Sequence, residues 1–245
     1  MSKSDDEVVK EYYQARKVLK DRGIKLNSYL YKADTRISEY IDKLNNALTH
    51  KETQKAGTLL EQIVVLVFKG LKGVQSIKSF QSAGPQYDLL VSGNDFEWQE
   101  VSDALYLNGN QRDIVIEAKA IKGTLPLKQF ARLCSIMENE LLRNAGLGIF
   151  VTLNGATGFP QRNSKERQKK VSDCRLLQII FHARTNKIII VLDKEDLLEL
   201  SKNGTLIELL IRKIKDLSEL SGLPTASVEN CQEDVDLPPH LQILL

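Results

Sequence analysis

The sequence has few of the residues that build zinc sites, disulfide frameworks or histidine-based catalysis. Its three cysteines and three histidines stand far apart along the 245 residues. The cysteines have no zinc-ligand spacing, and their odd number gives no disulfide framework. A histidine-dependent hydrolase and an all-protein zinc site are therefore disfavoured, and the cysteines are interpreted as structural thiols. The six residues are Cys134, Cys174, Cys231, His50, His182 and His240.

Long apolar runs and a strong charge of one sign are absent as well. No run of about 18 apolar residues occurs, and residues 1–7 hold no apolar signal core. We therefore expect a cytoplasmic protein with no membrane segment. The formal net charge is only +2, so any nucleic-acid-binding surface has to be local. With 245 residues and 42% hydrophobic content, the chain allows one large domain or one domain with an appendage.

Residues 1–50 are predicted to form an N-terminal helical arm. Apolar residues recur at spacings of four and three on either side of Gly23, which indicates two amphipathic helices in a hairpin. A hairpin this short needs a partner for its apolar face. We favour packing on the following domain, with dimerisation or a grip on substrate as alternatives. The two stripes are Val8, Tyr12, Ala15 and Leu19, and then Leu30, Ala33, Ile37, Ile41, Leu44 and Leu48.

Residues 51–221 are predicted to form one α/β domain, and residues 222–245 a polar tail. Short apolar runs bounded by turn residues indicate strands, and apolar residues at helical spacing indicate helices between them. The predicted helices span 57–72 and 124–143, with Thr124 as a cap of the second, and the predicted strands span 74–82, 86–92, 113–120, 146–153, 176–183 and 187–192.

The connection from 93 to 112 is ambiguous in the sequence. It is predicted to hold either an extra strand at 98–101 or a short helix at 102–107. Towards the end of the domain, Asp193 and Thr205 each have the character of a helix cap, and Thr205 begins a capping box. Two helices are therefore expected to close the domain.

The strand at 113–120 carries two opposite charges at the end of an apolar run. Side chains alternate between the two faces of a strand, so Ile114 and Ile116 share one face. Glu117 and Lys119 share the other. A charge costs free energy to desolvate unless it is paired or binds a metal. The residues alone leave two interpretations open, a strand end that reaches solvent and a functional site.

The order of three elements resembles the PD-(D/E)xK nuclease superfamily. A helix with Glu61 comes first, a strand with Asp88 after a Gly-Pro turn comes next, and a strand with the triplet 117–119, Glu-Ala-Lys, comes last. The match is to the restriction-endonuclease-like branch of the Mrr type, over roughly residues 55–220. The segment 191–200, a strand that leads into a helix with an Asp-Leu-x-x-Leu pattern, is similar to the closing part of such domains.

The resemblance implies an αβββαβ core, with a central mixed sheet flanked by helices, and a metal-dependent site for phosphodiester hydrolysis. Hard oxygen ligands suit Mg²⁺ or Mn²⁺. The resemblance implies that Lys119 holds and polarises the attacking water or stabilises the charge of the transition state. The alternative to a metal-binding role for Glu61 is a position near the N-terminus of its helix, where the helix dipole stabilises a negative charge. The implied metal ligands are Asp88, Glu117, the Ala118 carbonyl and Glu61.

A basic run follows the strand that ends near Leu153. It is either a solvated helix face or the lining of a groove that neutralises phosphates, and the sequence leaves both open. Gln129, on the helix after the Glu117 strand, is a candidate accessory residue by resemblance, although a surface position is the favoured interpretation. The run consists of Arg162, Lys165, Arg167, Lys169 and Lys170.

The function predicted from these residues is a metal-dependent endonuclease that hydrolyses DNA phosphodiester bonds, in a restriction or phage-defence context. An alternative of another class is a nuclease-like fold that binds or assembles without catalysis. A nuclease acting on RNA is a third possibility, since the backbone chemistry is the same. A homodimer is expected, because an enzyme that cuts both strands of DNA usually needs two sites.

Overall fold

A computed structural model describes residues 4–23, 26–80, 87–107, 109–159, 172–203 and 206–220. The strands are β1 Ser76–Phe80, β2 Tyr87–Ser92, β3 Asp113–Lys119, β4 Ala145–Thr152 and β5 Ile188–Leu192. The helices are α1 Asp5–Asp21, α2 Leu26–Tyr29, α3 Ile37–Thr49, α4 Thr53–Phe68, α5 Phe96–Ala104, α6 Leu127–Asn139, α7 Asp173–Thr185, α8 Lys194–Asn203 and α9 Leu206–Leu220.

The five strands form one mixed sheet in the order β1-β2-β3-β4-β5. β1, β2 and β3 are antiparallel neighbours, whereas β3, β4 and β5 run parallel. Helices cover both faces of the parallel half, so β4 and β5 are buried along their whole lengths. The predicted α/β class, with a central mixed sheet flanked by helices, is confirmed.

The two faces of β3 belong to two separate apolar clusters. Ile114 and Ile116 pack in the larger cluster, together with residues of α3, α4 and α9. Val115 packs in the smaller cluster, with residues of α6 and α7. The alternation predicted from the sequence is confirmed, and it directs the side chains of Glu117 and Lys119 to the α6 side of the sheet.

One predicted strand is wrong, because residues 176–183 lie within the helix α7. Its buried residues include Cys174, Gln178 and Phe181, which follow at helical spacing rather than alternating. The helix ends at Asn186, whose left-handed conformation (φ 57°) closes the last turn. The prediction failed because residues 176–183 are largely apolar, and composition alone does not reveal the helical spacing of the buried residues.

The ambiguous connection contains the helix α5 rather than an extra strand. Asp95 caps it by accepting a hydrogen bond from the backbone N–H of Trp98 at 2.8 Å, and the Trp98 side chain is fully buried.

The predicted cap Thr124 is wrong. Pro126 occupies the position before α6, and the Thr124 hydroxyl lies 3.3 Å from that of Thr157.

The predicted cap of α8 is confirmed. The Asp193 carboxylate accepts from the backbone N–H of Asp196, and the Asp196 carboxylate accepts from the backbone N–H of Asp193, both at 2.9 Å. The predicted cap Thr205 and the tail at 222–245 lie outside the described residues.

The N-terminal segment is not the predicted two-helix hairpin. α3 buries Ile37, Ile41, Leu44 and Ala47 against α4 and belongs to the larger apolar cluster, as packing on the domain predicts. α1 buries none of its side chains, so the same prediction is wrong for the first stripe. The short α2 lies between them in the chain.

In the described residues, no helix has the length and apolar character to cross a bilayer.

Lys187 fastens the end of α6 to the start of β4 and β5. It is 1% exposed, and its ammonium donates to the carbonyls of Met137 at 2.7 Å, Leu141 at 3.1 Å and Ala145 at 2.9 Å. Burial lowers the pKa of Lys187 to about 8, so the amine still carries its proton at pH 7. The three donor positions of the ammonium are therefore matched by three acceptors.

We expect Lys187→Met to lower the free energy of unfolding by about 2–4 kcal/mol, because three carbonyls lose a buried charged donor. Denaturant unfolding of both proteins at pH 7 measures the difference. Lys128→Met, at an exposed position on α6, is the matched control and should stay within about 0.5 kcal/mol of the parent. Equal stability of the two variants would contradict this role of Lys187.

Candidate active site on strands β2 and β3

The antiparallel pairing of β2 and β3 places two carboxylates opposite each other. Leu89 pairs with Ile116 and Leu90 with Val115, so Asp88 and Glu117 follow next in the same register. By strand alternation both side chains lie on the α6 side of the sheet. Like charges directly opposite one another repel, so this pair needs a cation to hold it.

The cation within the chain is the Lys119 ammonium. It lies 2.7 Å from Glu117 Oε2 and 3.1 Å from Asp88 Oδ2. The same Asp88 oxygen also accepts from the backbone N–H of Ala118 at 2.6 Å. Asp88 and Lys119 are partly exposed, with side chains 27% and 22% accessible, whereas Glu117 is only 3% exposed. The triad is thus open to a ligand on the Asp88 and Lys119 side.

Burial and pairing act in opposite directions on these groups. Burial raises the pKa of Glu117, and the hydrogen bond and charge of Lys119 only partly offset this. Desolvation on its own lowers the pKa of Lys119, but the bonds and charges of Glu117 and Asp88 outweigh it, so the pKa is raised. Lys119 is therefore a firmly protonated ammonium in this arrangement.

Helix α6 contributes a charge that acts on the triad, and a second polar side chain lies on the same face of the helix. The positive charge of Arg132 acts on Glu117 and lowers its pKa, in opposition to the larger effect of burial. Gln129 is partly buried, and its Oε1 has no hydrogen-bond partner among the described residues. Sequence reasoning named Gln129 but missed Arg132. The signal was available, since Arg132 follows Gln129 by three residues and so shares its helix face.

Glu61 is not brought to the triad. It is exposed on α4, and α4 packs on the Ile114 and Ile116 face of β3, opposite the face that Glu117 occupies. Among the described residues, no group of three or more His, Cys, Asp or Glu side chains is placed to hold a metal ion. The structure thus brings together Asp88, Glu117 and Lys119 and leaves Glu61 apart.

The predicted basic run at 162–170 lies outside the described residues. The chain on either side of it is described. Lys119 pairs with Thr152 at the end of β4, and the following loop is held by the bond from Cys174 N–H to the Thr157 carbonyl at 3.2 Å. Both flanks of the run therefore lie at the end of the sheet that carries Lys119.

The two carboxylates of the triad are of the chemical type that a hard divalent cation prefers. Mg²⁺ is commonly bound by one or two carboxylates and keeps several waters. Asp88 and Glu117 supply the carboxylates, and Glu117 Oε1 has no hydrogen-bond partner among the described residues. The N–H and C=O of one strand residue point to the same edge, so the Ala118 carbonyl is directed towards β2, as its N–H is. This donor set is made entirely of oxygens.

Comparisons with models of protein families, with curated proteins and with solved structures give no match to this chain.

We expect Glu117→Gln to be at least as stable as the parent at pH 7. The raised pKa of Glu117 means that ionisation costs more in the folded chain than in the unfolded one. The parent therefore loses stability as the pH rises from about 4.3 towards the folded pKa, and the isosteric amide does not. Thermal unfolding of both proteins between pH 4 and 7 should show a difference that grows with pH.

The control for this comparison is Glu39→Gln. Glu39 is exposed, and the hydrogen bond and charge of Lys43 lower its pKa. Ionisation of Glu39 therefore adds to the stability of the folded chain as the pH rises, whereas ionisation of Glu117 subtracts from it. The Glu39→Gln variant should be slightly less stable than the parent above pH 5. A loss of stability in Glu117→Gln that also grows with pH would mean that the ionised Glu117 is a net stabilising group.

Proposed function

We propose that this protein is a metal-dependent nuclease of the PD-(D/E)xK type that hydrolyses phosphodiester bonds in DNA. The observation that carries the proposal is the Lys119 ammonium, held within 3.1 Å of both Asp88 and Glu117 on adjacent strands. The elements α4, β1, β2, β3, α6 and β4 follow in the order that the resemblance implies, and α5 accounts for the long interval between Asp88 and Glu117.

In this proposal Asp88, Glu117 and the Ala118 carbonyl hold Mg²⁺ or Mn²⁺. When bound, such an ion activates water and neutralises charge on the phosphate. Lys119 orients the attacking water and stabilises the negative charge that develops on the phosphoryl oxygens. Its protonated state suits this electrostatic role and disfavours a role as the general base.

A polyanionic substrate agrees with the cations around the triad. The charge of Arg132 acts on Glu117, and both flanks of the basic run at 162–170 lie at the Lys119 end of the sheet. Lys and Arg side chains bind phosphates without reading sequence. DNA is the proposed substrate, RNA is the second candidate because its backbone chemistry is the same, and a restriction or phage-defence role is the context that the resemblance suggests.

A non-catalytic binding module is the alternative, and one observation favours it. Both carboxylates already contact the ammonium of Lys119, so one of their two negative charges is balanced without a metal. A group of this kind can serve as a structural ion network. Direct measurement of Mn²⁺ binding separates the two, because the module has no requirement for the ion.

We expect the purified chain to nick or linearise plasmid DNA with Mg²⁺ or Mn²⁺ and to be inactive with chelator. Lys119→Ala should lower the rate by about 100-fold or more, because a charge-stabilising donor is lost. Asp88→Asn should abolish cleavage and weaken Mn²⁺ binding measured by calorimetry. Both variants should keep the circular dichroism spectrum of the parent.

Matched substitutions away from the triad provide the control. Asp103 is exposed and pairs only loosely with Arg112, at 3.7 Å, so Asp103→Asn repeats the charge change of Asp88→Asn elsewhere. Lys43→Ala does the same for Lys119→Ala, on the exposed side of α3. Both controls should cleave at the parental rate. A parent that cleaves neither DNA nor RNA and binds no Mn²⁺ would overturn the proposal in favour of the binding module.

A further inference from the structure

The helix α1 exposes most of its large apolar side chains, and Leu19 is half-buried. Val8, Val9, Tyr12 and Tyr13 are between 47% and 64% exposed, and none of the side chains of α1 is buried within the described part of the chain. A helix of 17 residues is only marginally stable in water without a packed face. Its capping box at Ser4 fixes where it begins but covers none of the apolar surface.

One face of α1 carries Val8 and Tyr12, and the residues that line this face include charged ones at both ends. Counting along the helix, the intervals are three, four, three, four and three, which is the spacing of a coiled-coil seam. An acid stands at the first position of the seam and a basic residue at the last. The seam consists of Asp5, Val8, Tyr12, Ala15, Leu19 and Arg22.

The charges of the helix are divided between its two halves. Residues 5–11 hold four acids and one lysine, whereas residues 12–22 hold four basic residues and one aspartate. The acids at the start and the basic residues at the end are each stabilised by the helix dipole. The division also sets the orientation in which two such helices attract each other, since an antiparallel pair aligns each acidic half with a basic half.

We propose that α1 is a dimerisation helix that packs antiparallel against α1 of a second copy of this chain. In the register where Tyr12 lies opposite Ala15 of the other copy, the large side chain meets a small one. The same register places Val8 opposite Leu19. It also brings each Asp5 opposite an Arg22, so both ends of the seam are closed by an ion pair.

A parallel pair of the same helices lacks this complementarity. It places Asp5 opposite Asp5 and Arg22 opposite Arg22, and it sets the two Tyr12 rings against each other. Like charges facing one another are destabilising. This inference does not rest on the nuclease chemistry.

Sedimentation equilibrium of the full chain over a wide range of concentration tests the dimer. We expect a reversible monomer–dimer equilibrium, since a small interface of this kind binds weakly. Tyr12→Asp should weaken dimerisation at least about tenfold, because the seam would have to desolvate a carboxylate. Gln14→Asp, which introduces the same charge on the opposite side of α1, is the matched control and should dimerise like the parent.

A charge exchange tests the orientation. Asp5→Arg should weaken an antiparallel dimer, because it sets Arg against Arg22 of the other copy, and adding Arg22→Asp should restore most of the loss. In a parallel dimer the single change leaves like charges facing like, so the second change would restore nothing. A chain that is monomeric throughout, or a dimer that Tyr12→Asp and Gln14→Asp affect equally, would overturn the proposal.

Discussion

The Lys119 ammonium stands between the carboxylates of Asp88 and Glu117, 3.1 Å from one and 2.7 Å from the other. Two carboxylates facing each other across neighbouring strands repel, and the ammonium between them lowers the free-energy cost of that repulsion. The lysine holds them together only because strand alternation returns the chain to the same face two residues after Glu117. The triad therefore depends on the antiparallel register of β2 on β3.

This dependence is why most of the site could be predicted from the sequence. Alternation within one strand places Glu117 and Lys119 together whatever the rest of the chain does. The position of Asp88 depends on a register that the apolar pattern of β2 specifies strongly. Glu61 depends on the rotation of a helix that is apolar nearly all round, and the sequence does not say which side of α4 meets the sheet. The structure places Glu61 in solvent, on the other face.

The fold could be predicted where the pattern of apolar residues distinguishes a strand from a helix, and it could not be predicted where the two give similar patterns. All five strands of the sheet lie where short apolar runs predicted strands. The run at 176–183 is also largely apolar but belongs to α7, and the helical spacing of Gln178 and Phe181 is what marks it as a helix. Parallel strands and buried helices are both apolar throughout, so composition cannot separate them.

The order of the strands in the sheet is their order in the chain, so every strand pairs with its neighbour in sequence. Such a sheet can be extended one strand at a time as the chain leaves the ribosome, because few pairings wait for a distant segment. Asp88, Glu117 and Lys119 all lie within the first three strands. The geometry of the triad can thus form during synthesis, before β4 and β5 exist, with the later helices enclosing a site that is already assembled.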